Sequence, residues 1–426
     1  MIARGAPQFT LALAKYCAYI GHMSQTVETR KPHFVEFVAL IASLMALGAL
    51  GIDSMLPALP VIGQDLGVTV HNHLQWIVSI YFLGMGFGQL FFGVMSDWLG
   101  RKRVLIGGVI LYVVFGLIAA FSQNFTFLLI LRLCQGLAVA TTGVVTRSII
   151  RDLYSGSQMA KVMSISFVVF LLVPILAPSL GQVVLLVWPW RAIFIIMAAM
   201  GTLTAIWAWI RLPETMNPAD RHRPDISHIR RVAFFVITEP SSIFYSFAIT
   251  FLIGGLLAYV ALMPQIFSDV FHKPHLMAII FAVCAATMGA ASALNASLVV
   301  KLGVKRISHS ALTGYIVVTA IHLAWAAAGK ETLVSFTILQ ALTMGLMSLS
   351  TSNFSAVAME KVGHVAGTAA SLQGVITTVG AAVVSGLIGQ GWTGHIAWLP
   401  GAALACGLIA ISLIAIAEKG RLYRNS

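Results

Sequence analysis

The sequence predicts an all-helical membrane protein in which twelve transmembrane helices form two six-helix bundles. Hydrophobic residues make up 59% of the 426 residues and charged residues only 9%, whereas an average soluble domain has roughly 25% charged residues. Twelve apolar segments are long enough to cross a bilayer, and the longest polar interval divides them six and six. The runs are continuous and do not alternate every second residue, so they indicate helices instead of barrel strands.

Each predicted span contains about 20 mainly apolar residues, the length that a helix needs to cross the hydrocarbon core. An even number of spans puts both termini on the same side of the membrane. The predicted spans are residues 37–60, 73–96, 104–122, 125–146, 160–187, 191–211, 242–267, 276–299, 310–328, 333–357, 366–390 and 397–417.

The longest polar interval also sets the predicted domain boundaries. Residues 212–240 contain four prolines and the basic pair Arg230–Arg231, a composition typical of a linker. Because Met23 leads directly into a polar stretch, we hypothesise that translation starts there and that residues 1–22 are dispensable. The predicted units are a cytoplasmic N-terminal segment (1–33), an N-terminal bundle (34–211), a cytoplasmic linker (212–240), a C-terminal bundle (241–417) and a cytoplasmic tail (418–426).

The basic residues indicate the orientation of the chain. All 26 Lys and Arg residues except Arg132, Arg191, Lys273 and Lys330 fall in segments that this topology puts on the side of the termini. This is the positive-inside pattern, so both termini are predicted to be cytoplasmic. The formal net charge of +12 follows from this asymmetry, and nucleic-acid binding is not predicted.

A short internal repeat indicates that the two bundles arose by duplication. The segment LGRKRV begins at Leu99, after the second span, and LGVKRI begins at Leu302, after the eighth, 203 residues later. Parallel repeats related by an axis along the membrane normal are one of the known architectures of secondary transporters.

The loop after the second span carries the motif GVMSDWLGRKR, which begins at Gly93. Gly93 allows close helix packing, Asp97 can pair with a cation and Gly100 permits a tight turn. The motif resembles the loop motif of the major facilitator superfamily, but has Trp98 where a basic residue is usual. The resemblance implies that Asp97 and Arg101 latch the cytoplasmic side of the outward-facing state. The alternative is a basic loop that only sets topology.

Two charged residues lie well inside predicted spans, away from the span ends, at similar depth. Asp53 lies about seven residues before the outer end of the first span, and Arg132 about seven residues after the outer start of the fourth. At 1.5 Å per residue, both lie roughly 10 Å below the outer face. An arginine there costs about 2.5–3.5 kcal/mol on insertion scales, so it needs a partner or a wet cavity. An interaction between the two side chains across a water-filled cavity is geometrically possible.

Asp53 is the predicted proton carrier. Burial favours the neutral form of a carboxylate and a nearby guanidinium favours its charged form, so a conformational change can drive proton uptake and release. The other acidic residues fall in loops, termini or span edges. The alternative is that the helix breaks at Asp53, which then caps a short outer helix with Pro57 in its first turn and lies at the membrane interface.

The fifth span contains Pro174, Pro178 and Gly181. Two prolines one turn apart each remove a backbone hydrogen bond and loosen the helix. The segment resembles a degenerate form of the proline/glycine motif in the fifth helix of facilitator-superfamily antiporters. The alternative is a structural kink without a role in coupling.

Further stretches resemble one subgroup of this superfamily, the bicyclomycin/chloramphenicol-resistance (Bcr/CflA) drug:proton antiporters. The resemblance implies the major facilitator fold, and export of amphipathic drugs from a bacterial cytoplasm in exchange for protons. It assigns Asp53 and Arg132 to proton coupling, and Arg151 and Asp152 to gating. The segments that carry it are Ile52–Pro60, Gly88–Leu90, Arg147, Arg151–Tyr154, Ser352–Asn353 and Ala366–Ala369, whereas Arg132–Gly136 resembles the R-x-x-Q-G motif of the superfamily.

These features predict a proton-coupled multidrug efflux antiporter of the bacterial inner membrane that works by alternating access. Substrate is predicted to bind in mid-membrane near Tyr81, Met85, Gln135 and Tyr259. The alternative is a transporter of a physiological metabolite, such as a sugar or an amino acid, within the same fold. A channel or a sensor would need neither the repeated bundles nor the gating loop.

No enzymatic activity, cofactor or metal site is predicted. The sequence has no P-loop motif G-x-x-x-x-G-K-[ST], and no pairing of a nucleophile with a base stands out. The proton gradient is therefore the predicted energy source. The predicted partners are small amphipathic drugs, protons and the lipid bilayer, and the protein is predicted to be a monomer.

Overall fold

A computed structural model describes residues 33–154, 156–217, 221, 226–362 and 366–423, and these residues contain fourteen α-helices and no β-strand. The hypothesis that translation starts at Met23 lies outside the described residues. Numbered in chain order, the helices are α1 Phe34–Asp53, α2 Leu59–Asp65, α3 Trp76–Leu99, α4 Arg101–Ala120, α5 Phe125–Leu153, α6 Gly156–Val187, α7 Arg191–Arg211, α8 Ile226–Thr238, α9 Pro240–Gln265, α10 Met277–Leu302, α11 Val304–Ala327, α12 Leu333–Glu360, α13 Ala366–Gln390 and α14 Trp398–Ala417.

Twelve of these helices correspond to the predicted spans, α2 corresponds to the short outer helix that was considered as an alternative, and α8 was not predicted. Eleven segments of the described chain are long and apolar enough to cross a membrane, the first of them running through α1 and α2, Phe34–Asp65. The predicted fifth span corresponds to α6, of which Leu176–Val187 is recognised as a shorter apolar helix. The predicted all-helical transmembrane fold class is confirmed.

The helices pack chiefly within two groups of six long helices, which we call the N-terminal half and the C-terminal half. In the first, α3 and α4 pack against α5, and α1 packs against α6; in the second, α9 packs against α13 and α14, and α12 against α10 and α11. Glycines bring α3 and α5 close together, because a Cβ added at Gly84, Gly88 or Gly136 would overlap a carbonyl of the facing helix. The halves meet where α3 packs against α13 and α6 against α10.

The repeat that was read from LGRKRV and LGVKRI extends to backbone conformation. Gly100 has φ 99° and ψ 149°, and Gly303 has φ 82° and ψ 154°. Both glycines therefore occupy a region with positive φ that side chains disfavour, and each starts the next helix. The same sharp turn between the second and third long helices is present in both halves.

A glutamate after the sixth long helix binds this turn in each half. Glu214 Oε1 accepts a hydrogen bond from the backbone nitrogen of Arg101, at 2.9 Å. Glu418 Oε2 accepts from Nζ of Lys305, at 3.1 Å. We call these two contacts the glutamate staples; neither of them joins one half to the other.

The interval 212–240, predicted as a linker, includes the helix α8. Val232 and Val236 of α8 are buried with Val362 and Ala369, which belong to the C-terminal half. The second part of this interval is thus ordered against the C-terminal half and is not simply an extended connection.

Candidate functional site

Helix α1 ends at Asp53 because of the proline four residues later. Pro57 has no N–H to donate to the Asp53 carbonyl, and its ring would collide with that carbonyl in a continuing helix. The chain instead forms a 3₁₀ turn, Leu56–Ala58, and restarts as α2 at Leu59. The break that was considered as an alternative is therefore present. However, Asp53 is only 6% exposed, and neither following helix has a side-chain cap, so Asp53 is not an exposed cap.

Side chains from neighbouring helices bind carbonyl groups in the last turns of α1. The Tyr81 hydroxyl donates to the carbonyl of Gly48 at 3.3 Å, and Nη2 of Arg132 donates to the carbonyl of Gly51 at 2.7 Å. The end of a helix leaves carbonyls without partners and carries a partial negative charge, so a guanidinium is favourable there. These contacts hold the segment that carries Asp53 in place.

Arg132 is completely buried and its guanidinium is held on several sides. Nη1 donates to Oε1 of Gln135 at 2.7 Å, and the guanidinium carbon lies 4.2 Å from the centre of the Tyr81 ring. No ion pair or hydrogen bond joins Asp53 to another described side chain. Arg132 therefore does not bind the Asp53 carboxylate in this structure, but the backbone carbonyl two residues before it.

A cavity of about 450 Å³ lies between the two halves and is lined mainly by apolar side chains. Asp53 lines it, together with Met85 and Tyr259, which were predicted near the substrate. Tyr81 and Gln135 do not line it, contrary to the prediction. Both are fully buried, because they pack around Arg132 behind the cavity wall.

Arg147 is a cavity residue that the sequence prediction missed. The fourth span was predicted to end at residue 146, but α5 continues to Leu153, and Arg147 lines the cavity. Since no proline or glycine interrupts residues 144–154, this uninterrupted stretch was a signal that the helix continues.

The proline/glycine segment of α6 packs against the break after Asp53. A Cβ added at Gly181 would overlap the carbonyl of Ser54 and lie 3.3 Å from Cγ of Pro57. Pro178, one turn earlier, is also buried, whereas the side chain of Pro174 lies outside the described part of the structure. The structure thus brings two motifs together that are more than 120 residues apart in the chain.

The predicted gating residues lie on the face where α1 begins and α14 ends, which we call the terminus face. Arg101 forms an ion pair with Asp97 one turn before it, and its Nε lies 3.3 Å from Oδ2 of Asp152. Nη1 of Arg101 also donates to the hydroxyl of Ser96 at 2.7 Å. This cluster joins α3, α4 and α5, all within the N-terminal half.

Two other predicted gating residues lie beside this cluster. A Cβ added at Gly93 would lie 3.4 Å from Cγ1 of Val144 and 3.7 Å from the Ser371 hydroxyl of α13, so Gly93 borders the C-terminal half. Arg151 is exposed near the end of α5, and no ion pair joins it to another described residue. The charged cluster itself makes no ion pair across the interface with any described residue of the C-terminal half.

On the opposite face, neutral amide groups join the two halves. Nδ2 of Asn72 donates to the carbonyl of Gln390 at 3.1 Å, and Nε2 of Gln390 donates back to the carbonyl of Asn72 at 2.8 Å. Nε2 of Gln75 donates to Oε1 of Gln265 at 2.9 Å, and both side chains are buried. These contacts close the cavity on the opposite face, beyond Asp53.

The family comparison covers most of these elements. Residues 40–385 match the family described as Major Facilitator Superfamily. The chain belongs to the major facilitator superfamily. This facilitator is also similar to solved structures, including a peptide transporter POT in complex with sulfate, at 14% identity. That similarity has a TM-score of 0.71 and covers 91% of this chain and 94% of the other, and it supports the fold alone.

Relatives with resistance names agree with the resemblance read from the motifs. This facilitator is 30% identical over 338 residues to a bicyclomycin resistance protein homolog of Haemophilus influenzae, covering 79% of this chain and 84% of that protein. It is 37% identical over 168 residues to a multidrug resistance protein MdtL of Klebsiella pneumoniae, covering 39% of this chain and 43% of that protein. The predicted resemblance to the drug-resistance subgroup is confirmed.

The amide contacts on the opposite face provide a test of how this facilitator opens. Gln75→Ala removes the bond to Gln265, a bond that can form only while this face is closed. Since one such hydrogen bond contributes about 0.5–1.5 kcal/mol, we expect the population that is open on this face to rise by roughly 2- to 12-fold. Distances between spin labels on α3 and α9, measured by pulsed electron resonance, would report the shift. Gln64→Ala is a suitable control, because the Gln64 side chain on α2 is exposed. Equal distance distributions in all three proteins would contradict the expectation.

Proposed function

We propose that this facilitator exports amphipathic drugs in exchange for protons, by alternating access between its two halves. The observation that carries the proposal is the position of Asp53: among the residues that line the cavity, it is the one acid, and no described side chain binds it. A carboxylate in such a place can exchange a proton with whichever side of the membrane the cavity reaches.

The proposed exchange follows from how surroundings act on a carboxylic acid. Removal from water favours the neutral acid, and contact with water or with a cation favours the carboxylate. When the cavity opens to the outside, water and protons reach Asp53; when it opens to the cytoplasm, an entering drug competes with the proton. Asp53 is thus the proposed coupling residue, and Arg132 positions it by binding the carbonyl of Gly51.

The proposed cycle uses the contacts between the halves as gates. If the protein lies in a bacterial inner membrane with both termini in the cytoplasm, the amide contacts of Asn72 and Gln75 lie on the outer side. They then close the cavity towards the outside of the cell. Opening outward would break them and bring the cytoplasmic ends together, where Gly93 already borders α13. Asp97 and Arg101 are then proposed to latch that state. The proton gradient alone drives the cycle, and the protein acts as a monomer.

The drug substrates are proposed from the lining and the relatives. The cavity is within the usual volume of sites for drug-sized ligands and is largely apolar. The relatives named for bicyclomycin resistance and for multidrug resistance support amphipathic drugs as the substrate class.

Purified protein in proteoliposomes with an imposed pH gradient would test this function. A lumenal pH dye would report proton movement while a panel of amphipathic drugs is added in turn. We expect at least one drug to trigger saturable proton movement. A response to sugars or amino acids but to no drug would instead support a metabolite transporter and overturn the drug-export proposal.

A further inference from the structure

The second charged residue of the cavity, Arg147, has no role in the coupling scheme. Its side chain is exposed and lines the cavity, and the hydrogen bond that its Nε donates goes to the carbonyl of Gly143 in the same helix, at 2.8 Å. No ion pair joins it to another described residue. Among the described residues none binds the other nitrogens of its guanidinium, so these nitrogens can bind a group inside the cavity.

Two other arginines on the terminus face, Arg101 and Arg211, are paired, whereas Arg151 is exposed outside the cavity. Arg101 binds Asp97 and Asp152, and Arg211 binds Glu36 in an ion pair. A guanidinium carries five N–H donors in a planar fork that matches a carboxylate or a phosphate, and it stays charged at every physiological pH. Arg147 thus differs from the paired arginines by presenting this fork to a largely apolar cavity.

The two charged residues of the cavity lie at different depths. Arg147 follows Arg132 by 15 residues in α5, which is roughly 22 Å along the helix axis, and Arg132 is bonded beside Asp53. Arg147 therefore lies towards the terminus face and Asp53 at the closed end. Met45, Met85 and Met288 are among the apolar side chains that line the same cavity.

We propose that Arg147 is an anion-binding subsite of the transport cavity, so that favoured substrates are amphipathic molecules that carry a carboxylate or a similar anion on an apolar body. This inference rests on the proposed function and specifies its substrate class. The anion binds the guanidinium of Arg147, and the apolar body extends along the methionine-lined wall towards Asp53. In a zwitterionic drug the anionic group would bind Arg147, and the cationic group would extend towards the Asp53 carboxylate.

Equilibrium binding of a matched pair of drugs would test the subsite. Norfloxacin carries a carboxylate and an amine, and its ethyl ester keeps the amine but lacks the carboxylate. Both fluoresce, so their fluorescence anisotropy gives a Kd with purified protein and no proton transport is needed. Hydrogen bonds to charged groups are worth more than neutral ones, so we expect Arg147→Gln to raise the Kd of the acid at least about tenfold relative to that of the ester.

Two further variants separate an anion contact from a structural effect. Arg147→Lys keeps the positive charge and should keep the ratio of the two Kd values within about threefold of wild type, whereas Arg306→Gln removes an exposed charge on α11 and should leave it unchanged. An equal change for acid and ester in Arg147→Gln would overturn the subsite, while binding itself would still support drug transport. If neither compound binds wild type, the subsite is wrong, and the proteoliposome panel decides drug export separately.

Discussion

Asp53→Asn is expected to reduce drug-triggered proton movement in proteoliposomes to the level of empty liposomes. The amide has nearly the same shape as the neutral acid, so the end of α1 should stay in place, but it cannot release or bind a proton in the physiological range. Asp53 is the acid that lines the cavity in the described structure, so no neighbouring carboxylate can replace it there. The measurement is the initial rate of lumenal pH change after addition of a drug that responds in wild type.

A matched variant shows whether the loss belongs to this site. Asp269→Asn removes a carboxylate after α9 that is exposed and hydrogen-bonded to Ser268, and it should transport like wild type. Drug binding measured in detergent should persist in Asp53→Asn, which would separate lost coupling from a lost fold. If drug-triggered proton movement survives in Asp53→Asn, then Asp53 is a packing residue and the coupling mechanism proposed above is wrong.

Arg132→Ala is expected to lower the thermal stability of the purified protein and to abolish transport. Arg132 is completely buried and donates to the carbonyl of Gly51 and to the amide of Gln135. Each acceptor that loses its donor inside the protein costs about 1–3 kcal/mol. Two such losses in a chain of 426 residues should lower Tm by about 2 °C or more, as measured by the temperature at which the detergent-purified protein loses its monodisperse chromatographic peak.

The choice of replacement distinguishes charge from geometry at this position. Arg132→Lys keeps the charge but lacks the planar fork that reaches both acceptors, so its Tm should fall between those of wild type and Arg132→Ala. Arg306→Ala, on the exposed side of α11, should leave Tm unchanged. An Arg132→Ala protein with wild-type stability and transport would contradict the positioning role of the guanidinium.

The helices were predictable from the sequence because hydrocarbon tolerates few polar residues. The span 191–211 was predicted with the bounds that α7 has, and the apolar composition of that segment decided both ends. The bounds were least accurate where charge lies inside a helix. Arg147 was taken as the start of a loop, although α5 extends beyond it, since a cavity can solvate a charge that lipid cannot.

The residue types of the site and their depth in the membrane could be predicted from the sequence, but the directions in which their side chains point could not. Equal depth suggested that Asp53 and Arg132 interact, and they do lie on adjacent segments, yet Arg132 binds a backbone carbonyl that no side-chain pattern indicates. Tyr81 and Met85 are four residues apart on one helix; Met85 lines the cavity, and Tyr81 turns to the arginine behind the wall. Which way a side chain turns depends on the facing helices, and these are not adjacent in sequence.

The contacts between the two halves are uncharged, and this determines how much free energy is needed to break them when the cavity opens on the other side. In the described chain the ion pairs, including the glutamate staple of Lys305 and Glu418, stay within one half or its linker, and amides such as Gln75 and Gln265 bridge the halves. Each neutral bond exchanges for water at a net cost of about 0.5–1.5 kcal/mol, and a proton that moves down one pH unit releases about 1.4 kcal/mol. In the proposed proton-coupled cycle, the free energy from one or two protons is therefore of the right size to shift the equilibrium between the two states.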